Sequence, residues 1–465
     1  MARLSVGEAA RAAGGRVTAG DPAAWASGAA IDSRAVRGGE LFFAFAGERT
    51  DGHRFVPGAL ARGAAAAVVQ EDVPEAPAEG ALIRVDDTFK ALHDIARHAR
   101  TRVPEKLVGI TGSAGKTTTK ELLGAILASR FRTAWTPGNL NNLYGFPLSL
   151  LNVPDGTEWM VAEMGMSTPG ELRQLSLLGR PDAVVFTVVR PVHLEFFDSV
   201  QAIAEAKSEI LAGLAPGGFV VANADDPEVA RIARRHGARI VWYGILSDQA
   251  EVRARDLAPE LDGAVGSRFT LEAGGESVEV RLPLHGLYNV ENCLAAAACA
   301  WALGLPLAEI AEAVRGVKPA AMRGIVHRTE SGVTLIDDSY NSNPDALGKA
   351  LEGAAVLPLT GRRVAILGDM RELGPEGPRF HRELGERAAR LGFSPVVAVG
   401  ELSRELAAGA EAAGAAAVWL PDAAAAAVWA AGEVRPGDLV IVKGSRGVGL
   451  ERVVQRLLGT GEGSH

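Results

Sequence analysis

Residues 107–119 read Leu-Val-Gly-Ile-Thr-Gly-Ser-Ala-Gly-Lys-Thr-Thr-Thr, an apolar run followed by a glycine-rich turn and a predicted helix. The two glycines of the turn let the backbone curl so that several N–H groups face one phosphate, and the helix N-terminus adds the positive end of its dipole. Ile110 stands where the usual phosphate-loop pattern has its first glycine, but the strand before and the helix after favour such a loop. A lysine there reaches the outer phosphates and a hydroxyl binds Mg²⁺. The stretch therefore predicts an ATP site made by Gly112, Ser113, Ala114, Gly115, Lys116, Thr117 and Thr118.

The chain has 465 residues, 48% of them hydrophobic, and a formal net charge of −8. At roughly 150 residues per domain, this length indicates about three domains with substantial cores. The acidic balance gives no reason to expect a nucleic-acid partner. We expect no signal peptide and no membrane span, because no apolar run approaches the ~20 residues that a span needs, and hence a cytoplasmic protein. The spacing of Cys293 and Cys299 fits neither a zinc site nor a disulfide framework.

Short apolar runs alternate with predicted helices after residue 107, a pattern typical of a parallel sheet covered on both faces. The predicted strands of this region are 107–111, 159–163, 183–189, 218–222 and 239–243. Alternating polar and apolar residues over 251–284 indicate an antiparallel appendage, and helices are predicted over 289–303 and 307–314. A second strand-and-helix series follows at 333–336, 363–367, 395–399, 416–419 and 439–442.

The first hundred residues mix short strands, predicted over 40–47 and 64–70, with helices predicted over 57–63 and 89–102. Taken together, the pattern predicts an α/β fold of three domains. These are a small α/β domain over 1–103, a central parallel-sheet domain with the phosphate loop over 104–319, and a Rossmann-like domain over 320–465.

Two candidate metal ligands follow predicted central strands. Glu163 ends the strand 159–163, and His193 comes shortly after the strand 183–189. Because the carboxyl ends of parallel strands meet at one edge of the sheet, we expect both side chains near Thr117. The alternatives are a carboxylate in a surface turn and an ordinary loop histidine.

Lys207 lies on the apolar stripe of a helix predicted over 198–214, with Asp198 as N-cap and Gln201 at the third helical position. A lysine on a buried face either extends its ammonium to solvent or is a partly desolvated amine. A neutral amine reacts with CO₂ to form a carbamate, which would supply a carboxylate ligand for a second metal.

These residues together resemble the Mur ligases of peptidoglycan precursor synthesis. The resemblance includes the phosphate loop, Glu163, His193 and Lys207, the motif Asn289-Val-Glu-Asn292 before an alanine-rich helix, and Arg323. Three further stretches are similar to the branch of that family that adds D-alanyl-D-alanine: 138–147, 337–344 and 367–374. The chain departs from the family pattern at Tyr288, where histidine is common, and at Ala321-Met-Arg323, where Pro-Gly-Arg is common. It lacks the Asp-Asn-Pro-Arg motif of the diaminopimelate-adding relative.

The resemblance implies a role for each matching residue. Lys116 would hold ATP phosphates, Thr117, Glu163 and His193 would be associated with Mg²⁺ (two ions expected), and Lys207 would be carbamoylated. Lys116, Lys207 and His193 are the implied catalytic residues. Asn292 would contact adenine, and Arg323 and Asp338 would contact phosphate or ribose. The implied substrate-binding residues are Ser33, Arg34, Asp51, His53, Asn139, Asn141, Asn142, Tyr340, Asn341, Lys443 and Arg446.

The implied reaction is an amide ligation by a monomeric enzyme. The terminal carboxylate of UDP-N-acetylmuramoyl-tripeptide would attack the γ-phosphate of ATP, and the amine of D-alanyl-D-alanine would attack the acyl phosphate, giving the pentapeptide, ADP and phosphate. Another Mur ligase or a folylpolyglutamate synthetase-like ligase is the nearest alternative. A phosphate-loop kinase and a nucleotide-driven switch are more distant alternatives.

Overall fold

The structure is a computed structural model that describes residues 4–47, 50–73, 80–102, 105–191, 197–260, 265–318 and 321–460. Its sheets are mainly parallel and alternate with helices along the chain. The predicted α/β class is therefore confirmed.

The first region carries a five-stranded sheet in the order β2-β7-β6-β5-β4, with β4 to β7 parallel and β2 antiparallel to β7. β1 and β3 form a separate two-stranded sheet. The strands are β1 Leu4–Ser5, β2 Arg16–Ala19, β3 Trp25–Ala26, β4 Ala29–Ala30, β5 Leu41–Phe43, β6 Ala66–Val69 and β7 Ala81–Arg84, and the helices are α1 Val6–Ala12, α2 Val56–Ala61 and α3 Thr88–Arg100. The predicted strands and helices of this region exist but are shorter than predicted, while β1 to β4, β7 and α1 have no predicted counterpart.

The middle region has one nine-stranded sheet in the order β16-β15-β14-β13-β12-β11-β8-β10-β9. Its strands are β8 Lys106–Thr111, β9 Thr133–Trp135, β10 Trp159–Glu163, β11 Ala183–Phe186, β12 Phe219–Asn223, β13 Arg239–Gly244, β14 Val252–Glu260, β15 Gly266–Ala273 and β16 Glu276–Leu282. Its helices are α4 Lys116–Ala128, α5 Gly145–Leu151, α6 Glu171–Gly179, α7 Val200–Ser208, α8 Pro227–Arg235, α9 Leu287–Ala302 and α10 Leu307–Arg315. All residues of β10, β11 and β12 are buried, as expected for parallel strands covered on both faces.

Three features of the middle region differ from the sequence prediction. β11 ends at Phe186 rather than at Val189, because the next residues bond to a neighbouring loop. The antiparallel strands β14 to β16 extend the central sheet through a parallel β13–β14 pairing instead of forming an appendage. Helix α7 begins at Val200, and the Ser199 hydroxyl accepts a hydrogen bond from the Ala202 N–H (3.1 Å), so Ser199 rather than Asp198 is the N-cap. α7 passes into a 3₁₀ turn at Glu209–Gly213 instead of continuing to Leu214.

The third region is a six-stranded sheet in the order β17-β18-β22-β19-β20-β21, parallel except for the β17–β18 pair. Its strands are β17 Ile325–Arg328, β18 Thr334–Asp338, β19 Arg363–Gly368, β20 Phe393–Val399, β21 Ala417–Leu420 and β22 Leu439–Lys443. Its helices are α11 Pro344–Ala355, α12 Gly377–Arg390, α13 Arg404–Ala412, α14 Ala423–Glu433 and α15 Glu451–Leu458. Alternate residues of one strand enter opposite cores: Ala365 and Leu367 pack with α11 to α13, and Val364 and Ile366 pack with α14 and α15.

The chain divides into two compact units. The first comprises Met1–Thr111, Arg130–Val185 and Ala206–Phe219, and the second comprises Gly112–Ser129, Phe186–Glu205 and Val220–His465. The predicted domain limits at 103/104 and 319/320 fall outside the described residues and stay a prediction. Within the described part of the chain, no helix is long and apolar enough to cross a membrane.

Candidate functional site

The phosphate loop is the four-residue connection Gly112–Gly115 between β8 and α4. Gly115, the N-cap of α4, has φ +83°, a left-handed conformation that an L side chain adopts only with strain. The Lys116 ammonium donates a hydrogen bond across the loop to the Gly112 carbonyl oxygen (2.8 Å). A glycine-rich turn between a strand and a helix N-terminus is the arrangement in which proteins commonly bind phosphate.

Residues 187–190, which follow β11, pair with this loop. The Ser113 N–H donates to the Val188 carbonyl (2.7 Å), and the Thr187 hydroxyl donates to the Ala114 carbonyl (2.6 Å). The Ser113 hydroxyl accepts from the Arg190 N–H (3.0 Å) and donates to the Arg190 carbonyl (3.1 Å). These bonds join the loop to the main chain of residues 188–190 and to the Thr187 side chain.

Asn292 of α9 touches the loop at Gly115. A Cβ placed on Gly115 would lie 2.1 Å from Asn292 Oδ1, so the amide of Asn292 occupies the space that any side chain would need. Asn292 Nδ2 lies 3.5 Å from Asn289 Oδ1, and Asn289 Nδ2 donates to the His285 carbonyl (2.8 Å). The structure therefore brings the Asn-x-x-Asn motif to the phosphate loop.

Glu163 lies at the carboxyl end of β10 and is 3% exposed. In the β10–β8 pairing it stands opposite Ile110, two residues before the loop begins. Its carboxylate Oε1 accepts from Asn141 Nδ2 (2.7 Å), and its N–H donates to the Thr136 hydroxyl (3.1 Å). Asn141 is thus joined to a candidate metal ligand.

The other asparagines of the 138–142 segment have different surroundings. The Asn142 Oδ1 accepts from the Tyr144 and Gly145 N–H groups (3.1 and 2.8 Å), as a turn-forming asparagine does, whereas Asn139 is exposed.

Lys207 lies in the last turn of α7 and is 2% exposed. The predicted residue His193 falls outside the described residues.

Six predicted residues of the third region come together at the carboxyl ends of β18 and β22. Lys443 Nζ donates to Asp338 Oδ2 (2.6 Å) and to the Asn341 carbonyl (2.8 Å), and both charged side chains are buried. Burial raises the pKa of the Asp338 carboxyl, and the Lys443 ammonium opposes that shift. The Lys443 ammonium is thus bonded within the protein and positions the Asn341 backbone.

Tyr340 completes this cluster as an aromatic platform for two guanidinium groups. Arg323 lies 4.2 Å and Arg446 lies 5.9 Å from the centre of its ring. Arg323 also lines a shallow cleft together with residues of the first turns of α4. Its lining consists of Thr118, Glu121, Leu122, Leu284, Val317, Lys318 and Arg323.

Asp51 and His53 form an internal pair in the first region. Asp51 Oδ1 accepts from the His53 N–H (2.9 Å) and from its ring Nδ1 (2.7 Å), which holds the pKa of the Asp51 carboxyl below its usual range. The ring Nε2 accepts from the Gln70 N–H (3.0 Å). Glu71 lies close enough to complete a triad of metal-ligand types. Since both ring nitrogens already have partners, we interpret the triad as structural rather than as a metal centre.

The predicted residues Ser33 and Arg34 belong to a 3₁₀ turn that Asp32 caps. The Arg34 guanidinium is exposed and bonds to Asp32 Oδ2 (2.7 Å), and this contact lowers the pKa of the Asp32 carboxyl to about 2. The carboxylate therefore remains ionised and fixes the guanidinium at the surface.

Three family models match the chain: the Mur ligase family catalytic domain over residues 26–100, the Mur ligase middle domain over 110–300, and the Mur ligase glutamate ligase domain over 322–446. The UDP-N-acetylmuramoyl-tripeptide--D-alanyl-D-alanine ligase of Bacillus subtilis is 34% identical over 442 residues, which are 93% of each chain. The chain belongs to the Mur ligase family.

Solved structures of Mur ligases agree with the fold of this one. MurF from Acinetobacter baumannii is 29% identical, with a TM-score of 0.87 over 98% of this chain and 99% of that one. MurF from Thermotoga maritima, solved in complex with ADP, is 29% identical, with a TM-score of 0.79 over 93% and 97%.

Sequence reasoning missed the segment 187–190 of this Mur ligase. The predicted strand 183–189 includes Thr187 and stops just before Arg190, whereas β11 ends at Phe186. The signal that could have found these residues was their position at the carboxyl end of a buried parallel strand, where functional loops concentrate.

Proposed function

We propose that this Mur ligase joins D-alanyl-D-alanine to UDP-N-acetylmuramoyl-tripeptide with the energy of ATP. The observation that carries the proposal is the phosphate loop, which Asn292 contacts, together with the Arg323–Tyr340–Arg446 cluster built on the stretch 337–344. The proposal is also supported by the name of the Bacillus subtilis relative and by the ADP complex of the Thermotoga maritima neighbour.

The proposed reaction has two steps. An oxygen of the tripeptide carboxylate bonds to the γ-phosphorus, and the bond to the β–γ bridging oxygen breaks, which gives an acyl phosphate and ADP. The amine nitrogen of the dipeptide then bonds to the acyl carbon and loses a proton, and phosphate leaves. Lys116 and the loop amides stabilise the phosphate charge, because they are fixed before the reaction begins.

The donor set fits Mg²⁺. Glu163 is a buried carboxylate held in place by Asn141, and Thr117 supplies a hydroxyl at the helix start, which are the oxygen ligands that Mg²⁺ prefers. Glu163, Thr117, His193 and a carbamoylated Lys207 are the proposed ligands of two ions. When bound, the ions would neutralise charge on the phosphates.

The remaining site residues have proposed roles in binding. Asn292 would contact adenine, and Arg323 and Asp338 would contact ribose or phosphate. The incoming dipeptide would meet Tyr340, Asn341 and Arg446, with Lys443 holding that loop. The first region would bind the UDP-sugar through Ser33, Arg34, Asp51 and His53, and Asn139, Asn141 and Asn142 would complete the substrate site.

A phosphate-release assay with mass spectrometry tests the proposal. Release with ATP and Mg²⁺ should require both UDP-N-acetylmuramoyl-tripeptide and D-alanyl-D-alanine, and the pentapeptide mass should appear. Stoichiometric phosphoryl transfer without the amine would instead indicate a kinase. Release that depends on a different amine would indicate another amide ligase, and slow release that ignores both substrates would indicate a switch. The cytoplasmic location and monomeric state also remain proposals, which cell fractionation and sedimentation test.

The proposed carbamate has its own test. Lys207→Ala should lose most activity, and short carboxylic acids such as acetate should restore part of it, because they can replace the missing carboxylate ligand. Lys90→Ala is the matched control, since Lys90 is an exposed helix lysine paired with Asp94. Near-normal turnover of Lys207→Ala would overturn the role of the carbamate.

A further inference from the structure

Arg190 connects the phosphate loop to the third region. Its main chain bonds to the Ser113 hydroxyl, as described above, while its guanidinium Nη1 donates to Asp226 Oδ2 (2.6 Å) and its Nε to Asp345 Oδ1 (3.2 Å). Asp345 lies in the first turn of α11. One residue therefore contacts the loop with its backbone and α11 with its side chain.

The anchor on the loop side is rigid. Asp226 is 1% exposed, and its second oxygen caps α8 by accepting from the Glu228 and Val229 N–H groups (3.0 and 3.1 Å). Asp226 Oδ2 also accepts from the Val189 N–H (2.8 Å). With all these bonds made, Asp226 fixes both the backbone and the guanidinium of the 189–190 segment.

Further ion pairs connect α11 to α9. Lys349, one turn after Asp345, lies 3.7 Å from the Asp345 carboxylate and donates to Glu291 Oε2 (2.9 Å). Glu291 immediately precedes Asn292, whose amide lies against Gly115. The contacts thus form a continuous chain from Ser113 of the phosphate loop through Arg190 and α11 to α9, which contacts the loop again at Gly115.

We propose that Arg190 is a positioning residue that ties the phosphate loop to α11 and so holds the Asp338–Asn341 segment in register with the nucleotide. Asp338 ends β18 only a few residues before α11 begins, so displacement of α11 moves this segment as well. The proposal rests on the proposed function, since it assigns that segment to ATP and the incoming amine. Arg190 acts through Asp345 and is not itself a catalytic group.

The kinetics of single and double variants test this tie, the Arg190–Asp345 contact between the phosphate loop and α11. Arg190→Ala should lower kcat at least tenfold and change KM for ATP less than threefold, because the Ser113 bonds use only the Arg190 main chain. Asp345→Asn should behave alike, and the double variant should be no more than twofold worse than the more impaired single variant, since both changes break one link. Arg190→Lys should recover only part of kcat, because an ammonium lacks the fixed fork that reaches two carboxylates.

Arg231→Ala is the matched control. Arg231 also bonds two carboxylates, Glu205 (2.6 Å) and Glu228 (2.9 Å), but on the outer face of α8. Its kcat should stay within twofold of the wild type. An Arg190→Ala kcat within twofold of the wild type, or losses that multiply in the double variant, would overturn the proposal.

Hydrogen exchange with bound Mg-ADP separates failure of this tie from failure of the proposed function. Exchange should quicken at both 113–118 and 344–350 in Arg190→Ala and in Asp345→Asn, and at neither segment in Arg231→Ala. Exchange that quickens at one segment alone would refute the tie. A wild-type enzyme that makes no pentapeptide would refute the proposed function, while the exchange data would still decide the tie.

Discussion

Gly115→Ala should weaken nucleotide binding without unfolding the protein. The added methyl group would lie 2.1 Å from Asn292 Oδ1 and 3.0 Å from its Cγ, at a residue whose φ is +83°. An L side chain in the left-handed region costs about 1–2 kcal/mol. Moving the buried Asn292 amide away forfeits about 1 kcal/mol of hydrogen bonding. The free loop relaxes to relieve this strain, but bound phosphate requires the original cradle, so the strain appears as lost affinity.

The sum of about 2–3 kcal/mol corresponds to an affinity for Mg-ADP that is about 30- to 150-fold lower. Titration calorimetry with Mg-ADP measures it directly. Gly170→Ala is the matched control, because Gly170 is also the N-cap of a helix, with φ +89°, yet has nothing within 4 Å of the place where the added methyl group would lie. Gly170→Ala should lower the free energy of unfolding, because its backbone is strained in the same way, but it should bind Mg-ADP with unchanged affinity.

Two results would refute this reasoning. Gly115→Ala that binds Mg-ADP within threefold of the wild type would show that the loop does not need its left-handed glycine. Equal losses of affinity in Gly115→Ala and Gly170→Ala would show that general destabilisation, and not the contact with Asn292, causes the effect.

Two further predictions concern the third region. Asp338→Asn should lower the unfolding free energy of this region by about 3–5 kcal/mol, because the buried Lys443 ammonium loses its carboxylate partner. Urea unfolding measures this loss. Arg379→Ala, which breaks exposed ion pairs, is the control, and an equal or smaller loss in Asp338→Asn would contradict the prediction. His381→Gln should flatten the fall in melting temperature between pH 7 and pH 5. Burial lowers the pKa of His381 from its ordinary 6.5, so the unfolded chain binds the proton first and stability is lost as pH falls. Protonation of His381 also removes the hydrogen bond that its Nε2 accepts from the Met370 N–H (3.0 Å). If the melting temperature of His381→Gln fell with pH as steeply as that of the wild type, His381 would not be the group responsible.

The sequence predicted best those strands that are buried on both faces. The runs at 159–163 and 363–367 consist almost entirely of apolar residues, and the structure has strands at Trp159–Glu163 and Arg363–Gly368. The two-residue strands β3 and β4 could not be predicted, because Trp25–Ala26 and Ala29–Ala30 are too short to show a period. For 251–284 the alternation predicted antiparallel strands correctly, but the edge to which they attach depends on the parallel pairing of Tyr243 with Val252, which alternation within 251–284 does not reveal.

Side-chain partners in the candidate site were less predictable than its strands. The family resemblance implies that Lys443 binds substrate, and in the structure its ammonium bonds to Asp338, 105 residues earlier. The two residues face each other because β18 and β22 are neighbours, which follows from topology and not from local spacing. Arg190 was missed for a related reason: its partners Asp226 and Asp345 lie 36 and 155 residues away.

The departure at Ile110 shows why those distant partners matter to the phosphate loop. Ile110 is fully buried within β8 and pairs with Glu163, so the strand continues where the usual motif already turns, and the turn starts at Gly112. Residues far away in sequence contact the four-residue loop, namely 187–190 through hydrogen bonds and Asn292 at Gly115. Because the loop is short, residues outside the motif help to fix the geometry of the nucleotide site. The main chain of 187–190 and the Thr187 hydroxyl should accordingly help to fix the geometry of the nucleotide site, whereas the Arg190 side chain bonds to Asp226 and Asp345 instead.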